Sequence, residues 1–303
     1  MLRLVLPLAL FTSMAHSAIV SDVRGVIDRN DFAAAERLVA QYRAQKGVTP
    51  ELIEAQSWMG RGALAAKDLD RAEAYAAETR RLALEALKGR KLDDDRSLPT
   101  ALGASIEVQS QVMAARGKRD AALEFLKAEL ARWGDTSIAT RIQKNANLLD
   151  LVGKPAPRID GVNTAGKPAL VFLWAHWCPD CKGMAPALAR IEADFGPRGL
   201  SIVAPTRRYG YTRRGEDAGP EEEGAYIGEV RKSAYGAVKN MPAPIDEEAF
   251  RAFGASTVPT IVLVDAAGMV RFYHPGEMTY DELAPRVDAL LKPLGRAAAA
   301  AAK

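Results

Sequence analysis

The chain has 303 residues, which at about 100–200 residues per domain predicts two domains. Apolar residues make up 48% of it and charged residues 26%, as in ordinary globular proteins. The formal net charge is only +3, and Lys and Arg form no dense cluster with interleaved aromatic residues. The composition therefore argues against a nucleic-acid-binding protein.

The first 18 residues have the pattern of a secretory signal peptide. Arg3 precedes an apolar run, residues 4–14, and small residues follow up to Ala18; this order is typical of such signals. The run is too short to cross about 30 Å of hydrocarbon as a helix. We predict that residues 1–18 are removed, that no membrane span remains, and that the protein is periplasmic or secreted. A buried N-terminal helix is the alternative.

Residues 19–150 are predicted to form an all-α domain, because strong helix formers dominate and Pro is rare. Segments beginning at Phe32, Leu69 and Arg119 resemble one another, and apolar residues at helical spacing follow each. This organisation is similar to helical-hairpin repeats of the tetratricopeptide kind. An irregular helical bundle explains the composition equally well.

Residues 151–294 are predicted to form an α/β domain, followed by an Ala-rich tail, residues 295–303. Apolar runs that suit strands buried on both faces occur at Ala169–Ala175, Leu200–Pro205 and Thr260–Val264. Helical patterns and a second strand of a hairpin separate and follow these runs. Strand–helix–strand, then a hairpin, then a helix is an α/β layout.

Two further segments of this domain are a predicted helix and a predicted polar loop. Apolar spacing over Pro179–Phe195 predicts one helix. Residues 206–224 are polar and rich in Arg and Glu, which predicts a solvated loop before a helix from Gly224 to Val238. The alternative interpretation of that loop is a lip that selects partner proteins.

The only two cysteines, Cys178 and Cys181, lie in one Cys-Pro-Asp-Cys tetrapeptide. A disulfide that closes so short a loop removes little chain entropy, so reactivity explains the pair better than a structural role. Cys178 follows a predicted strand and begins a predicted helix, where free backbone N–H groups and the helix dipole lower the pKa of a thiol. The thiolate is the nucleophile of disulfide exchange, and Cys181, one turn later, would resolve the mixed disulfide.

Two neighbours are predicted to tune the pKa of Cys178. Asp180 opposes thiolate formation by like-charge repulsion, whereas His176 favours it when protonated. A zinc site is the main alternative for the cysteines, but structural zinc needs four ligands, and the mature chain adds only His176 and His274. We predict no metal and no cofactor.

Two motifs and a third segment carry a resemblance to a known family. Trp177-Cys-Pro-Asp-Cys-Lys182, with Pro186 beyond it, resembles the thioredoxin active-site signature. Thr257-Val-Pro-Thr260, just before a strand, resembles the second hallmark of that superfamily. With the Gly153-Lys-Pro-Ala-Pro157 opening, the C-terminal half is similar to the exported, redoxin-type TlpA/ResA-like thiol–disulfide oxidoreductases.

This resemblance implies a thioredoxin fold, in which helices flank a central mixed sheet. It implies a cis peptide bond before Pro259, and roles for Pro259 and Val258 in binding substrate. Trp177 flanks the nucleophile and is predicted to shape the surface that binds substrate; plain packing is the alternative. One departure is Phe172, because thioredoxins carry a buried, proton-accepting Asp at the matching position. Asp180, His176 and a carboxylate of residues 216–223 remain alternatives for that task.

The predicted function is a disulfide reductase, in which Cys178 attacks a protein disulfide and Cys181 completes the exchange. Its expected partners are protein disulfide substrates and an upstream thiol electron donor. In a second hypothesis, the helical domain is a protein-binding adaptor that recruits the redox domain to one client. A disulfide oxidase or isomerase is a third possibility, because only the redox potential separates it from a reductase.

Overall fold

A computed structural model describes residues 18–162 and 166–292. Apart from Ala18, the predicted signal peptide lies outside the described residues, as does the predicted Ala-rich tail. Packing divides the chain into two compact units between Ile142 and Gln143. The first is all-α and the second is α/β, which confirms the predicted fold class. Among the described residues, no helix is long and apolar enough to cross a membrane.

The N-terminal unit is built from helices. They are α1 (Ala18–Ile27), α2 (Phe32–Lys46), α3 (Pro50–Ala65), α4 (Leu69–Ala86), α5 (Leu98–Ala115), α6 (Arg119–Trp133) and the start of α7 (Ala139–Asp150). α3 packs against α1, α4 and α5, and its buried Leu52 and Met59 share a core with Val108 and Val112 of α5. The apolar spacing noted in the sequence therefore faces a common interior.

Three helix pairs, α1–α2, α3–α4 and α5–α6, are joined by the same turn. The residue with a left-handed backbone in each is Asn30 (φ 58°), Lys67 (φ 62°) and Gly117 (φ 77°). The next N–H donates to the carbonyl five residues back in each: Asp31 to Val26 (3.0 Å), Asp68 to Ala63 (2.9 Å) and Lys118 to Met113 (2.9 Å). These bonds define a Schellman helix end. The similar segments of the sequence thus follow identical turns, and a tetratricopeptide-like repeat stays a prediction.

The repeated turn predicts opposite effects for two Gly→Ala changes. Gly117→Ala should lower the free energy of unfolding by about 1 kcal/mol, because a Cβ is strained in the left-handed region. Gly25→Ala, inside α1, should be neutral or stabilising because Gly weakens helix interiors. A Cβ at either position meets nothing within 4 Å, so the pair isolates backbone conformation. Urea unfolding measures both; equal effects would contradict the assignment of the turn.

The C-terminal unit contains one four-stranded sheet with helices around it. The strands are β1 (Ala169–Leu173), β2 (Ser201–Val203), β3 (Thr260–Val264) and β4 (Val270–Pro275). The helices are α8 (Pro179–Gly183), α9 (Ala185–Phe195), α10 (Pro220–Ala234), α11 (Glu247–Ala252) and α12 (Tyr280–Leu291). The strand order is β2-β1-β3-β4. β1 runs parallel to β2 and antiparallel to β3, and β3 and β4 form a hairpin.

Both faces of the sheet are covered, which explains the continuous apolar run of β1. Leu170 and Phe172 join the core with residues of α9 and α12. Ala169, Val171 and Leu173 join a second core with residues of α11. Every residue of β1 and of β3 is buried. A central strand with two buried faces needs apolar residues at successive positions.

Two predicted helices differ from the structure. The single helix expected over Pro179–Phe195 is two helices, α8 and α9, which meet at Met184. Pro186 has no N–H and cannot continue the helical hydrogen bonds across this point. The helix expected from Gly224 begins at Pro220, since Pro at the first position and acidic residues in the first turn favour a helix start. Part of the predicted loop is therefore helical.

The second half of α7 packs on the C-terminal unit. The Asn147 side-chain amide donates to the carbonyl of Ala252 (3.0 Å). Gly254 (φ 65°) lies so close to α7 that a Cβ there would approach the Cα of Lys144 to 2.6 Å. The division between the units consequently falls inside α7. The boundary predicted after residue 150, at the end of the same helix, stays a prediction.

Candidate redox site at Cys178 and Cys181

A disulfide joins Cys178 to Cys181 just beyond the end of β1, with 5.3 Å between their Cα atoms. The linking residues are fixed by Trp174. Its indole N–H donates to the carbonyl of Ala204 (2.9 Å), and its own carbonyl accepts from the hydroxyl of Thr206 (2.7 Å). These bonds tie the segment to the chain that continues β2, so the disulfide has a defined position beyond the C-terminal end of the central strand β1.

Cys178 caps the N-terminus of α8. Its backbone is extended (φ −74°, ψ 115°), and its Sγ accepts a hydrogen bond from the backbone N–H of Cys181 (3.0 Å). Pro179 occupies the first helical turn, where its missing N–H costs no hydrogen bond. Cys178 is 2% exposed and Cys181 is fully buried, so the first cysteine is the one that a partner can approach.

The segment before β3 borders the disulfide. The Val258–Pro259 peptide bond is cis, the isomer that the resemblance implies, and the carbonyl oxygen of Val258 lies 3.6 Å from Cys178 Sγ. The N–H of Gly276 donates to the carbonyl of Pro259 (2.8 Å). Gly276 has φ 124°, a conformation that other residues adopt only with strain. The structure thus brings Val258 and Pro259, distant in sequence, to the cysteine pair.

His176, two residues before Cys178, is fully buried and faces Glu223, which the sequence named only as one of the carboxylates of residues 216–223. Its Nε2 lies 3.0 Å from Oε1 of Glu223, which is 1% exposed. Glu223 was predicted to lie in a solvated loop; the structure corrects this, because α10 begins early and carries Glu223 inward. The Gly219-Pro220 start followed by acidic residues was the available signal for that helix.

His176 is uncharged at neutral pH, so the condition under which it would favour the Cys178 thiolate, protonation of its ring, is not met there. Burial lowers the pKa of His176, and the hydrogen bond to Glu223 opposes this only in part. A carboxylate accepts hydrogen bonds only, so Nε2 of the neutral ring carries the hydrogen. Nδ1 is then a buried acceptor, and no partner for it occurs among the described residues.

The other residues considered in the sequence differ in their exposure. Asp180 is exposed on α8 and Trp177 is 43% exposed. Phe172 is fully buried, with its ring edge-on to Tyr235 (6.0 Å between centroids), so this position offers no proton acceptor. Within residues 18–162 and 166–292, no three His, Cys, Asp or Glu side chains are grouped as ligands for a metal ion.

A cysteine pair that caps a helix after a central strand, beside a cis-Pro, defines a thioredoxin-type site. Residues 158–291 match the family model described as "Thioredoxin-like domain", and this part of the chain is a thioredoxin-like domain.

Known proteins resemble the same part of the chain. The thioredoxin-like protein YneN of Bacillus subtilis is 27% identical over 124 residues, 41% of this chain and 65% of that protein. The thiol:disulfide interchange protein DsbE of Xylella fastidiosa is 27% identical over 140 residues, 42% of this chain and 63% of that protein. The chain thus spans a little under two thirds of their lengths. A crystal structure of a secreted Mycobacterium tuberculosis disulfide oxidoreductase is 25% identical with a TM-score of 0.34, covering 44% of this chain and 88% of that one.

Burial of neutral His176 predicts a pH dependence of stability. Its pKa in the folded protein lies below the ordinary value of 6.5, so the unfolded chain binds the proton first as the pH falls. Proton uptake by the unfolded state lowers the free energy of unfolding. We expect this loss between about pH 7.5 and 5.5, and a shallower loss in His176→Gln. Urea unfolding of the oxidised proteins across this range measures it; parallel pH profiles would rule the effect out.

Proposed function

We propose that this protein is an exported thiol–disulfide oxidoreductase that reduces protein disulfides. The observation that carries the proposal is the Cys178–Cys181 disulfide at the start of α8, with the cis Val258–Pro259 bond beside it. The relatives named for thiol:disulfide interchange support the reaction class. Export rests on the signal-peptide pattern of residues 1–18.

The proposed reaction is two successive exchanges. In the reduced protein, the Cys178 thiolate attacks one sulfur of a substrate disulfide; a mixed disulfide forms and the other substrate sulfur leaves as a thiolate. Cys181 then loses its proton and attacks Cys178 Sγ, and the second substrate sulfur leaves. The substrate gains two electrons and two protons overall, and the protein gains its disulfide. An upstream dithiol restores the reduced pair.

The arrangement supports different roles for the two cysteines in the proposed reaction. Cys178 retains the only exposure of the pair and receives the Cys181 N–H at its sulfur, which suits the attacking residue. Cys181 is fully buried behind it, which suits the resolving residue. Val258 and Trp177 border Cys178 and supply substrate contacts: a backbone edge for an extended chain and an exposed aromatic surface.

Substitution of each cysteine tests the proposal. With dithiothreitol as the electron donor, wild type should accelerate insulin reduction. Cys178→Ala should fall to the uncatalysed rate, because the thiol that remains, Cys181, is fully buried. Cys181→Ala should instead accumulate a mixed disulfide through Cys178, visible by non-reducing electrophoresis. Circular dichroism provides the folding control. Equal insulin reduction by wild type and Cys178→Ala would end the proposal.

The three identical helix turns of the N-terminal unit favour a second role, as an adaptor that binds one client. Clients trapped as disulfides by Cys181→Ala would indicate general catalysis, whereas a partner bound by residues 19–150 irrespective of redox state would indicate an adaptor. The equilibrium redox potential, measured against glutathione, distinguishes a reductase from an oxidase or isomerase.

A further inference from the structure

One buried carboxylate connects the redox motif to the chain that follows β2. Besides facing His176, Glu223 accepts two backbone hydrogen bonds: Oε1 from the N–H of Tyr209 (2.5 Å) and Oε2 from the N–H of Gly210 (2.8 Å). Hydrogen bonds to a charged acceptor are roughly twice as strong as neutral ones. The first turn of α10 also favours a negative side chain. Glu223 therefore fixes residues 209–210 against the segment that leads into Cys178.

The residue held in this way, Tyr209, forms a surface with Trp177. The two rings meet edge to face, with 5.5 Å between centroids and 87° between planes. Tyr209 also contacts His176 edge-on (5.6 Å), and the guanidinium of Arg207 lies 4.5 Å from its ring centroid. We call Trp177 and Tyr209 the aromatic wall. The two rings are in contact, and Glu223 holds the backbone of residues 209–210 and the side chain of His176.

The exposed side chain of Trp177 is suited to contact a binding partner. Among the described residues, four large apolar side chains are exposed, and Trp177 is the only aromatic one of them. It directly precedes Cys178, whose own exposure is 2%. A polypeptide that brings a disulfide sulfur to Cys178 must therefore pass over Trp177. Aromatic residues are the side chains that most often carry binding energy at such contacts.

We propose that Glu223 is a positioning residue that builds the aromatic wall, and that the wall selects polypeptide substrates with a large apolar side chain next to their disulfide. This inference rests on the proposed function and adds a substrate class to it. The occupant is the substrate chain itself, because the wall is continuous with the sulfur that reacts. The carbonyl oxygen of Val258 lies 3.6 Å from that sulfur.

Two disulfide-bridged peptides that differ only in Phe or Ser beside one Cys test the selection. Wild type should reduce the Phe peptide with a kcat/KM about tenfold higher, because part of the ring leaves water on the wall. In Glu223→Gln, an amide replaces the carboxylate and can no longer accept all three donors. The ratio should then fall close to one, through a higher KM for the Phe peptide.

Matched variants identify the cause. Glu222→Gln removes the same charge from the adjacent, exposed position of α10 and should keep the wild-type ratio. Tyr209→Ala leaves its backbone N–H for Glu223 but removes half of the wall, and should also bring the ratio close to one. This variant tests the wall even where Glu223→Gln does not fold.

Each contrary outcome has a distinct meaning. The wall is excluded if wild type reduces both peptides equally or if Tyr209→Ala keeps the preference. Equal losses for both peptides in Glu223→Gln, with a shifted redox potential, would show that Glu223 acts on the cysteines, which overturns the positioning role. Reduction of hydroxyethyl disulfide by wild type reports the proposed function independently; if that also fails, the function and the inference fall together.

Discussion

The hydrogen bond from the Cys181 N–H to Cys178 Sγ (3.0 Å) is the interaction on which the chemistry of this protein depends. It places a sulfur where the first turn of a helix leaves its amide groups without helical partners. The same donor can stabilise the thiolate once the pair is reduced. A cysteine at this position caps the helix, and in the proposed reaction it is also the nucleophile. The second cysteine lies within one turn of it.

The rest of the domain holds that sulfur in place from several sides. β1 is buried on both faces and ends just before the motif, and Trp174 ties the following segment to Ala204 and Thr206. The backbone carbonyl of Val258, which precedes the cis peptide bond, lies 3.6 Å from the sulfur. His176 and Glu223, both buried, are in contact with each other and anchor the segment before Cys178. Rigid support on several elements is what a reactive group needs to stay in one geometry.

Local patterns in the sequence predicted the features that depend on neighbours in the chain. The fold class, the strand before Cys178 and the helix after it follow from apolar runs and from Pro179. The contact of Glu223 with His176 could not be found in this way, because the two residues are 47 positions apart and meet only through tertiary packing; in the sequence, Glu223 was only one of several candidate carboxylates. The break at Met184 was missed because apolar spacing continues through Pro186, although that residue removes a helical hydrogen bond. Phe172 was recognised as a departure, but its partner Tyr235 was not.

The pKa of the Cys178 thiol tests the central claim most directly. The thiolate absorbance of the reduced Cys181→Ala variant, followed across pH, reports this one group. The account predicts a pKa clearly below that of a free cysteine, because the amide groups at the start of α8 stabilise the anion against the repulsion of Asp180. A pKa at or above the value of a free cysteine would contradict it, since the helix start would then contribute nothing to the reactivity of the sulfur.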